Sequence, residues 1–278
     1  MTKTIIVGGG MLGNELKKTF VNQGHDAIIK KNIKYDSKNI IPKKTTNVII
    51  TAQSSDYKNN QFTDDLLYVN TILPMQIIKE SFEKDVKNIV YCSTGSVYQK
   101  SSKEHKESEK INVKELTPYS SSKFSTEVLI KQWEQYFDSI TILRPFFMYG
   151  STQKNSMLFS KMIDSINSGK EITLANNVGL ILNPIHMHDA SRFISLLLET
   201  TKKFKIYNLA GSQEVSLNLI IKQLGKILNK KPNIKTVQKN EDIVLGSIKK
   251  MNSINFKHNI MLNQGLKEMT TGKITFKN

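Results

Sequence analysis

The sequence has little of three things: cysteine, arginine and long apolar runs. Cys92 is the single cysteine among 278 residues, which excludes an intrachain disulfide and a cysteine-based zinc cluster and is typical of a reducing compartment. No apolar run approaches the ~20 residues that a membrane-spanning helix needs, and glycines interrupt the apolar start of the chain. We therefore expect a cytoplasmic protein with neither a signal peptide nor a membrane anchor.

Because arginine occurs only at positions 144 and 192, lysine supplies 38 of the 40 basic residues. Against 24 acidic residues this gives a formal net charge of +16, which is typical of proteins that bind nucleic acid or anionic membranes. Phosphate recognition, however, usually enriches arginine, whose planar guanidinium group contacts phosphate through two hydrogen bonds. We interpret the charge as a solvated lysine surface and expect neither a nucleic-acid nor a membrane partner.

Alternating short apolar runs and helical patterns fill the first half of the chain. They predict strands over 4–7, 27–29, 48–51, 88–92 and 140–143, and helices over 11–22, 64–82 and 117–137. Such alternation indicates the α/β class, with a doubly wound parallel sheet of the Rossmann type.

The pattern loosens after residue 150. A predicted strand over 206–209 precedes an amphipathic helix with Ser216 as its N-cap and an apolar stripe made of Leu217, Ile220, Ile221, Leu224 and Leu228. The charged stretch 100–114 is predicted to be a loop. We expect residues 1–150 and 180–210 to form a nucleotide-binding Rossmann domain, and residues 151–179 and 211–278 to form a smaller C-terminal substrate lobe.

A GxGxxG turn follows the first predicted strand and opens the first predicted helix. Gly8 permits the tight turn, Gly10 allows the backbone to approach a pyrophosphate, and Gly13 allows the helix to pack closely on the sheet. The helix N-terminus, with Met11 and Leu12, offers N–H donors and the positive end of a dipole. The turn therefore predicts a dinucleotide site.

The end of the second predicted strand indicates which dinucleotide binds. An acidic residue there would bind the adenosine ribose of NAD, but this strand runs into Lys30 and Lys31. Lysines at this place attract a 2′-phosphate, so the sequence favours NADP(H) over NAD(H).

Tyr119 and Lys123 are four residues apart on a predicted helix and therefore share one face. A free tyrosine, with a pKa near 10, is a poor base at neutral pH, and a nearby ammonium group lowers that pKa. Thr94 lies at the end of the fourth predicted strand, where open α/β sheets bind ligands. We predict that Thr94, Tyr119 and Lys123 are catalytic and that Tyr119 and Lys123 also contact the cofactor.

Further segments carry a family resemblance that extends nearly from end to end. They are Ala52-Gln53-Ser54, Val69-Asn70-Thr71, Arg144-Pro145-Phe146-Phe147-Met148-Tyr149-Gly150, the segment from Asn183 to Ala190, Tyr207-Asn208-Leu209-Ala210-Gly211 and Gln264-Gly265-Leu266-Lys267-Glu268. With the glycine turn and the Tyr119/Lys123 pair, the chain resembles extended short-chain dehydrogenase/reductases of the NAD(P)-dependent epimerase/dehydratase family, which act on nucleotide sugars.

The resemblance implies further site residues. The expected additional cofactor contacts are Ala52, Gln53, Asn70, Pro145 and Phe147. The expected substrate contacts are Ser54, Ser96, Asn183 and His186. In the family, hydride passes between a sugar carbon and the nicotinamide, which carries the difficult chemistry.

Some positions depart from the family pattern. Val7 stands where the family usually has its first glycine. Gly95 and Ser96 follow Thr94 where dehydratases of the family carry Asp-Glu, so we do not expect elimination of water. The stretch 32–47 lacks the usual acidic turn against the adenine, and Phe147 replaces a common asparagine.

Other readings of single residues are weaker. His186 and His188 could share a strand face as metal ligands, but no third ligand is evident, and we expect no metal. Cys92 lacks a base partner for nucleophilic chemistry. Trp133, Tyr136 and Phe137 are interpreted as packing residues or as part of a homodimer surface.

The sequence favours an enzyme that uses NADP(H) to reduce a keto group of a nucleoside-diphosphate sugar. The alternative within the same site is a nucleotide-sugar epimerase that keeps NAD tightly bound. A remote alternative is a non-catalytic member of the fold that binds nucleotide or RNA. The reactive trio Thr94, Tyr119 and Lys123 favours an enzyme, because a binding protein does not need it.

Overall fold

The computed structural model describes residues 2–58, 61–200 and 203–272. The strands are β1 (Lys3–Val7), β2 (Asp26–Lys30), β3 (Asn47–Ile50), β4 (Asn88–Cys92), β5 (Ser139–Pro145), β6 (Met148–Tyr149), β7 (Ile172–Ala175), β8 (Ile181–Leu182), β9 (Ile185–His186), β10 (Lys203–Leu209), β11 (Val215–Ser216), β12 (Ile234–Val237) and β13 (Ile243–Val244). The helices are α1 (Met11–Asn22), α2 (Asp64–Leu67), α3 (Leu73–Glu83), α4 (Pro118–Lys131), α5 (Leu158–Ser168), α6 (Met187–Thr200), α7 (Leu217–Leu228), α8 (Lys249–Asn252) and α9 (Leu262–Thr271). Within the described ranges, no helix is long and apolar enough to cross a bilayer.

The contacts between residues divide the chain into two compact units. The first comprises Met1–Gln99, Glu107–Pro145 and Ser191–Asn208, and the second comprises Lys100–Lys106, Phe146–Ala190 and Leu209–Asn278. This division differs from the expected domains at residues 100–106, 146–150, 180–190 and 209–210, which all lie in the second unit. The assignment of one unit to the cofactor and the other to the substrate stays a prediction.

A six-stranded sheet organises the first unit, in the order β10-β5-β4-β3-β1-β2. The pairs β1–β2, β1–β3, β3–β4 and β4–β5 are parallel, which confirms the predicted α/β class and the Rossmann-type sheet. From β1 the chain passes to β2 on one side and then to β3 on the other, so β1 and β3 flank a topological switch point. Ligands of open α/β sheets bind outside the carboxyl ends of the strands at such a point.

Apolar side chains on the strands build the core of this unit. The strands β3 and β4 contribute Val48, Ile50, Ile89 and Tyr91, each fully buried, and helices cover the sheet with Leu73, Ile77 and Ile78. Strands buried on both faces read as continuous apolar runs, which is why they are visible in the sequence.

The helices of the first unit match their predictions in place but not in every detail. The helix α1 has the predicted bounds. The predicted helix over 64–82 contains a π-helical turn, Tyr68–Ile72, between α2 and α3. The predicted helix over 117–137 ends at Lys131, and a 3₁₀ turn, Glu134–Tyr136, follows it.

The second unit holds short strands and its own core. Its sheets have the orders β11-β8-β13, β12-β7 and β6-β9. The Ser216 hydroxyl accepts a hydrogen bond from the Leu219 N–H at 3.2 Å, which confirms the predicted N-cap of α7. Ile220, Ile221 and Leu224 of the predicted stripe are fully buried among side chains of α5 and α9.

Candidate active site

The glycine turn between β1 and α1 has the backbone that its residues predict. Gly8 has φ +119°, a conformation that side chains rarely adopt. A Cβ atom at Gly13 would lie 2.0 Å from the Gly8 carbonyl oxygen, so only glycine allows the helix to start this close to the turn. A Cβ atom at Gly10 would meet nothing within 4 Å. The open space therefore lies above Gly10.

The start of α1 is suited to bind an anion. Gly10 is the N-cap and its helix has no capping hydrogen bond from a side chain, so the first N–H groups are not used by a cap in the described chain. Met11 is partly buried and begins the helix, and Leu12 points into the core. The turn thus fits the pyrophosphate of a dinucleotide, through backbone groups rather than side chains.

Two residues that the sequence analysis did not select fix the turn. The Thr51 hydroxyl group, directly after β3, donates to the carbonyl oxygens of Val7 at 3.3 Å and Gly8 at 3.2 Å. The Asn14 amide donates to the carbonyl oxygens of Gly9 at 2.9 Å and Gly10 at 3.0 Å. These contacts occupy the carbonyl oxygens of the turn and fix its backbone.

Lys30 and Lys31 end β2 beside this turn. The Lys30 carbonyl oxygen accepts a hydrogen bond from the Gly8 N–H at 3.0 Å. The Lys31 side chain lies across Gly9, since a Cβ atom built there would be 2.2 Å from Lys31 Cε. The structure therefore places a lysine at the glycine turn, and its role toward a 2′-phosphate stays a prediction.

The side chains of Thr94 and Tyr119 are neighbours in the first unit. Thr94 is buried directly after β4, and Tyr119 lies in the first turn of α4. Burial raises the pKa of Tyr119 to about 12, the hydrogen bond with Thr94 lowers it in part, and nearby Tyr57 and Cys92 raise it. At neutral pH the phenol in this environment carries its proton.

The environment of Lys123 differs from the expectation. Its side chain is 1% exposed, and its ammonium group donates to the carbonyl oxygens of Ala52 at 3.0 Å and Cys92 at 3.1 Å. Burial lowers the pKa of Lys123 to about 8, while Cys92 and Glu127 act in the opposite direction. We predicted that Lys123 would lower the pKa of Tyr119, but burial determines the direction of that shift.

Tyr57 is a further side chain near the pair that the sequence analysis missed. Its ring meets the Tyr119 ring edge to face, with the centroids 6.0 Å apart. Tyr57 lies on the loop after β3, and no local motif marks it. Gln53 and Ser96 are exposed, as a ligand contact requires, whereas Pro145 is buried at the end of β5.

Two predicted contacts, Ser54 and Asn70, are used within the unit. The Ser54 hydroxyl donates to Asp65 at 2.5 Å, and its N–H donates to the Asn70 side-chain oxygen at 3.1 Å. The Asn70 side-chain amide donates to Ser122 at 3.0 Å, and Asn70 is fully buried in the π turn. These bonds anchor the loop after β3 to α4, and a direct ligand contact of Ser54 or Asn70 stays a prediction.

Predicted residues of the second unit also have internal partners. The Asn183 side chain forms two hydrogen bonds with the Gly246 backbone, at 2.8 and 3.1 Å. His186 Nε2 is 2.5 Å from Glu268, whose other carboxylate oxygen accepts from Ser151 at 2.6 Å. Phe147 lies between β5 and β6, and its carbonyl oxygen accepts from the Ile185 N–H at 2.8 Å.

Metal and nucleophile readings receive no support from the geometry. Across the described residues, no group of three or more His, Cys, Asp or Glu could hold a metal ion. His186 is bonded to Glu268, and its Nδ1 accepts from the His188 N–H at 3.2 Å. Cys92 is buried, and burial raises the pKa of its thiol to about 12, which disfavours a thiolate.

A parallel sheet with a glycine turn at its switch point defines a Rossmann-type nucleotide-binding fold. The chain belongs to the NAD dependent epimerase/dehydratase family, which matches residues 4–210. An uncharacterized protein of Methanocaldococcus jannaschii is 26% identical over 189 residues, which cover 66% of this chain and 58% of that protein. A UDP-glucuronate 4-epimerase of Thermodesulfobacterium geofontis is 27% identical over 148 residues, or 52% of this chain and 45% of that protein.

The matched region spans about half the length of these curated relatives. Among solved structures, UDP-glucuronic acid 4-epimerase from Bacillus cereus in complex with UDP-glucuronic acid and NAD superposes with a TM-score of 0.83. It shares 19% sequence identity, with 96% of this chain and 97% of that chain covered. At this identity the likeness establishes the fold.

Proposed function

We propose that the protein is an NAD(P)-dependent epimerase that inverts the C4 centre of a UDP-sugar. The neighbouring side chains of Thr94 and Tyr119 carry this proposal, because they place two hydroxyl groups where the proton of a substrate hydroxyl can be exchanged. Lys123 lies on the same face of α4. A relative is named a 4-epimerase, which supports epimerisation over the keto-sugar reduction that the sequence favoured.

The glycine turn would hold the dinucleotide through the N–H groups at the start of α1, because Gly10 leaves open space there. A bound nicotinamide supplies the hydride acceptor and donor that inversion at a carbinol carbon requires. Tyr119 holds and moves the proton of the reacting hydroxyl, and Thr94 orients it. Lys123 contributes a buried ammonium group one turn further along α4, and Gly95 and Ser96 provide no carboxylate for elimination of water.

The proposal is tested first without added cofactor. The purified protein is denatured, and the released nucleotides are identified by mass spectrometry. Native protein is then incubated with UDP-glucose, UDP-glucuronic acid and UDP-N-acetylglucosamine, and the products are identified by NMR. We expect about one dinucleotide per chain and a C4 epimer of at least one sugar. The absence of turnover with and without added NAD(H) or NADP(H) would contradict the proposal.

Reduction of a keto sugar is the second candidate, and the Lys31 side chain at the glycine turn favours it. Incubation with NADPH and a 4-keto nucleotide sugar separates the two candidates. A reductase purifies without bound dinucleotide, and it consumes one NADPH per keto sugar without forming an epimer.

A homodimer is a separate proposal that rests on exposed apolar side chains of neighbouring helices. Ile72, Val128 and Leu129 are each 39–49% exposed on the π turn and α4. Nearby, Phe82 contacts Trp133 and Tyr136, with ring centroids 5.9 and 5.3 Å apart. Light scattering of the wild type and of Leu129→Lys tests this surface, since the variant should be monomeric.

A further inference from the structure

A buried ion pair in the first unit has no part in the proposed chemistry. The Glu127 and Arg144 side chains are each 4% exposed, and Arg144 Nη2 is 2.7 Å from Glu127 Oε2. Arg144 Nε also donates to both carboxylate oxygens, at 3.1 and 3.2 Å. Burying two charges is expensive, and a well-packed apolar pair is often at least as stable. Stability alone is therefore a weak reason for this pair.

The position of Glu127 connects the pair to the catalytic helix. Glu127 follows Lys123 by four residues and Tyr119 by eight, so the three side chains share one face of α4. The Glu127 carboxylate also accepts a hydrogen bond from the Ser93 hydroxyl. Ser93 directly precedes Thr94 in the chain. The helix that carries Tyr119 is thus bonded to the residue beside Thr94.

The other end of Arg144 reaches the far side of Thr94. Arg144 Nη1 donates to the Tyr98 hydroxyl oxygen at 2.9 Å, and that hydroxyl donates to Asn208 Oδ1 at 2.7 Å. Tyr98 directly follows the 3₁₀ turn Gly95–Val97, which Thr94 caps by accepting from the Ser96 N–H at 3.1 Å. The segment that contains Thr94 is therefore bonded on both sides to one charged network.

We propose that Ser93, Glu127 and Arg144 are positioning residues that hold Thr94 in register with Tyr119. This inference rests on the proposed epimerase activity, and it extends the site beyond the three predicted catalytic residues. Hydrogen bonds to charged groups are stronger than neutral ones and fix geometry more tightly. Displacement of a reacting group by ~1 Å can lower a rate about 100-fold, so the network acts on turnover more than on substrate binding.

The test removes the hydrogen bond between Ser93 and Glu127 and keeps the charges of Glu127 and Arg144. Glu127→Ala would leave Arg144 buried without its counterion and would destabilise the fold strongly, so the informative variant is Ser93→Ala. We expect Ser93→Ala to lower kcat about 10- to 100-fold, with KM for the sugar and the retained cofactor within about twofold of wild type. Ser93→Thr restores a hydroxyl group at this position and should recover most of the lost turnover.

Ser139→Ala is the matched control. Ser139 is equally buried, and its hydroxyl donates to Asn88 Oδ1 at 2.8 Å. These two residues begin β5 and β4, whereas Ser93 follows the end of β4. It should keep the wild-type kcat. If Ser93→Ala keeps wild-type kcat as well, or if both variants lose it equally, the positioning role is wrong.

A second measurement does not depend on turnover. The protein is labelled with ¹³C at tyrosine Cζ, and the resonance of Tyr119 is assigned with Tyr119→Phe. We expect Ser93→Ala to shift this resonance, because the hydrogen bond from Thr94 changes, and Ser139→Ala to leave it in place. An unmoved resonance overturns the inference. Wild-type protein that turns over no sugar contradicts the proposed function instead.

Discussion

The two units use their buried polar side chains in different ways. In the first unit Thr94 and Tyr119 are neighbours beyond the carboxyl end of β4, and Tyr119 is only partly buried. In the second unit Asn183 and His186 come from an equally suggestive segment, but each is bonded to a distant part of its own unit. A polar motif at a strand end therefore indicates either chemistry or fold maintenance, and its hydrogen-bond partners distinguish the two.

The charges show the same contrast. Burial lowers the pKa of Lys123 to about 8, and backbone carbonyl oxygens are its hydrogen-bond acceptors. Burial raises the pKa of Glu268, but hydrogen bonds from His186 and Ser151 outweigh it, so the net shift is downward. Keeping Lys123 charged therefore costs free energy of folding. The charge of Glu268, in contrast, stabilises the folded chain.

The sharpest test of this contrast compares one tyrosine from each unit. Tyr119→Phe should lower turnover about 10²- to 10⁴-fold, because the substrate hydroxyl loses the group that accepts and returns its proton. Cofactor retention should stay at the wild-type level. Tyr149→Phe, at a buried tyrosine of the second unit, should keep wild-type turnover. Steady-state kinetics check both variants, and a fully active Tyr119→Phe would remove the assigned role.

Substitutions at two glycines of the first unit test the stability of the fold and the binding of the dinucleotide separately. Gly13→Ala should destabilise the protein by about 1–3 kcal/mol, because its Cβ atom meets the Gly8 carbonyl oxygen. Gly10→Ala should keep the melting temperature and weaken dinucleotide binding, since its methyl group would enter the open space. Thermal unfolding and calorimetric titration with NAD measure the two effects. Tight NAD binding by Gly10→Ala would place the pyrophosphate elsewhere.

The Glu268 carboxylate tests the second unit. Glu268→Gln should destabilise the folded chain by about 1–3 kcal/mol, because it weakens the hydrogen bonds to the buried His186 and to Ser151. The folded-state pKa of Glu268 is below its ordinary value of 4.5, so this stabilisation is present above pH 4.5 and is lost as the pH falls through the folded-state pKa. Urea unfolding between pH 7 and pH 3 should bring wild type and variant together at low pH. Turnover lost at neutral pH in a folded variant would make this cluster part of the site.

The smallest expected effect concerns the lysines at the end of β2. Lys31→Ala should weaken binding of NADPH about tenfold, or ~1.4 kcal/mol, and NADH much less, because a 2′-phosphate loses its counterion. Lys17→Ala, an exposed lysine of α1, is the control for general charge. Equal weakening of both dinucleotides by Lys31→Ala would mean that the lysine does not select between them.

The sequence predicts those parts of the fold that depend on local pattern. Buried parallel strands and the glycine turn are visible because their residues are contiguous, and α1 has the predicted bounds. The second unit is less predictable, because its strands are short and pair over long separations, as β13 does with β8. The π turn at Tyr68–Ile72 also has no local signature in this sequence.

The same distinction holds for the site. Thr94, Tyr119 and Lys123 lie in recognisable motifs, whereas Tyr57 reaches its place through tertiary packing. Glu127 could have been found, since the spacing of four that links Tyr119 to Lys123 continues to it. The pKa of Tyr119 could not, because burial determines its direction and burial depends on the folded chain.

The contact between Gly9 and Lys31 has a consequence for how cofactor preference could change. Any side chain at position 9 would collide with the aliphatic part of Lys31, so the glycine determines where the ammonium group rests. A substitution at position 9 would therefore relocate the charge without removing it. On the prediction that Lys31 contacts a 2′-phosphate, the selectivity between the two dinucleotides can be changed at position 9, which contributes no charge of its own.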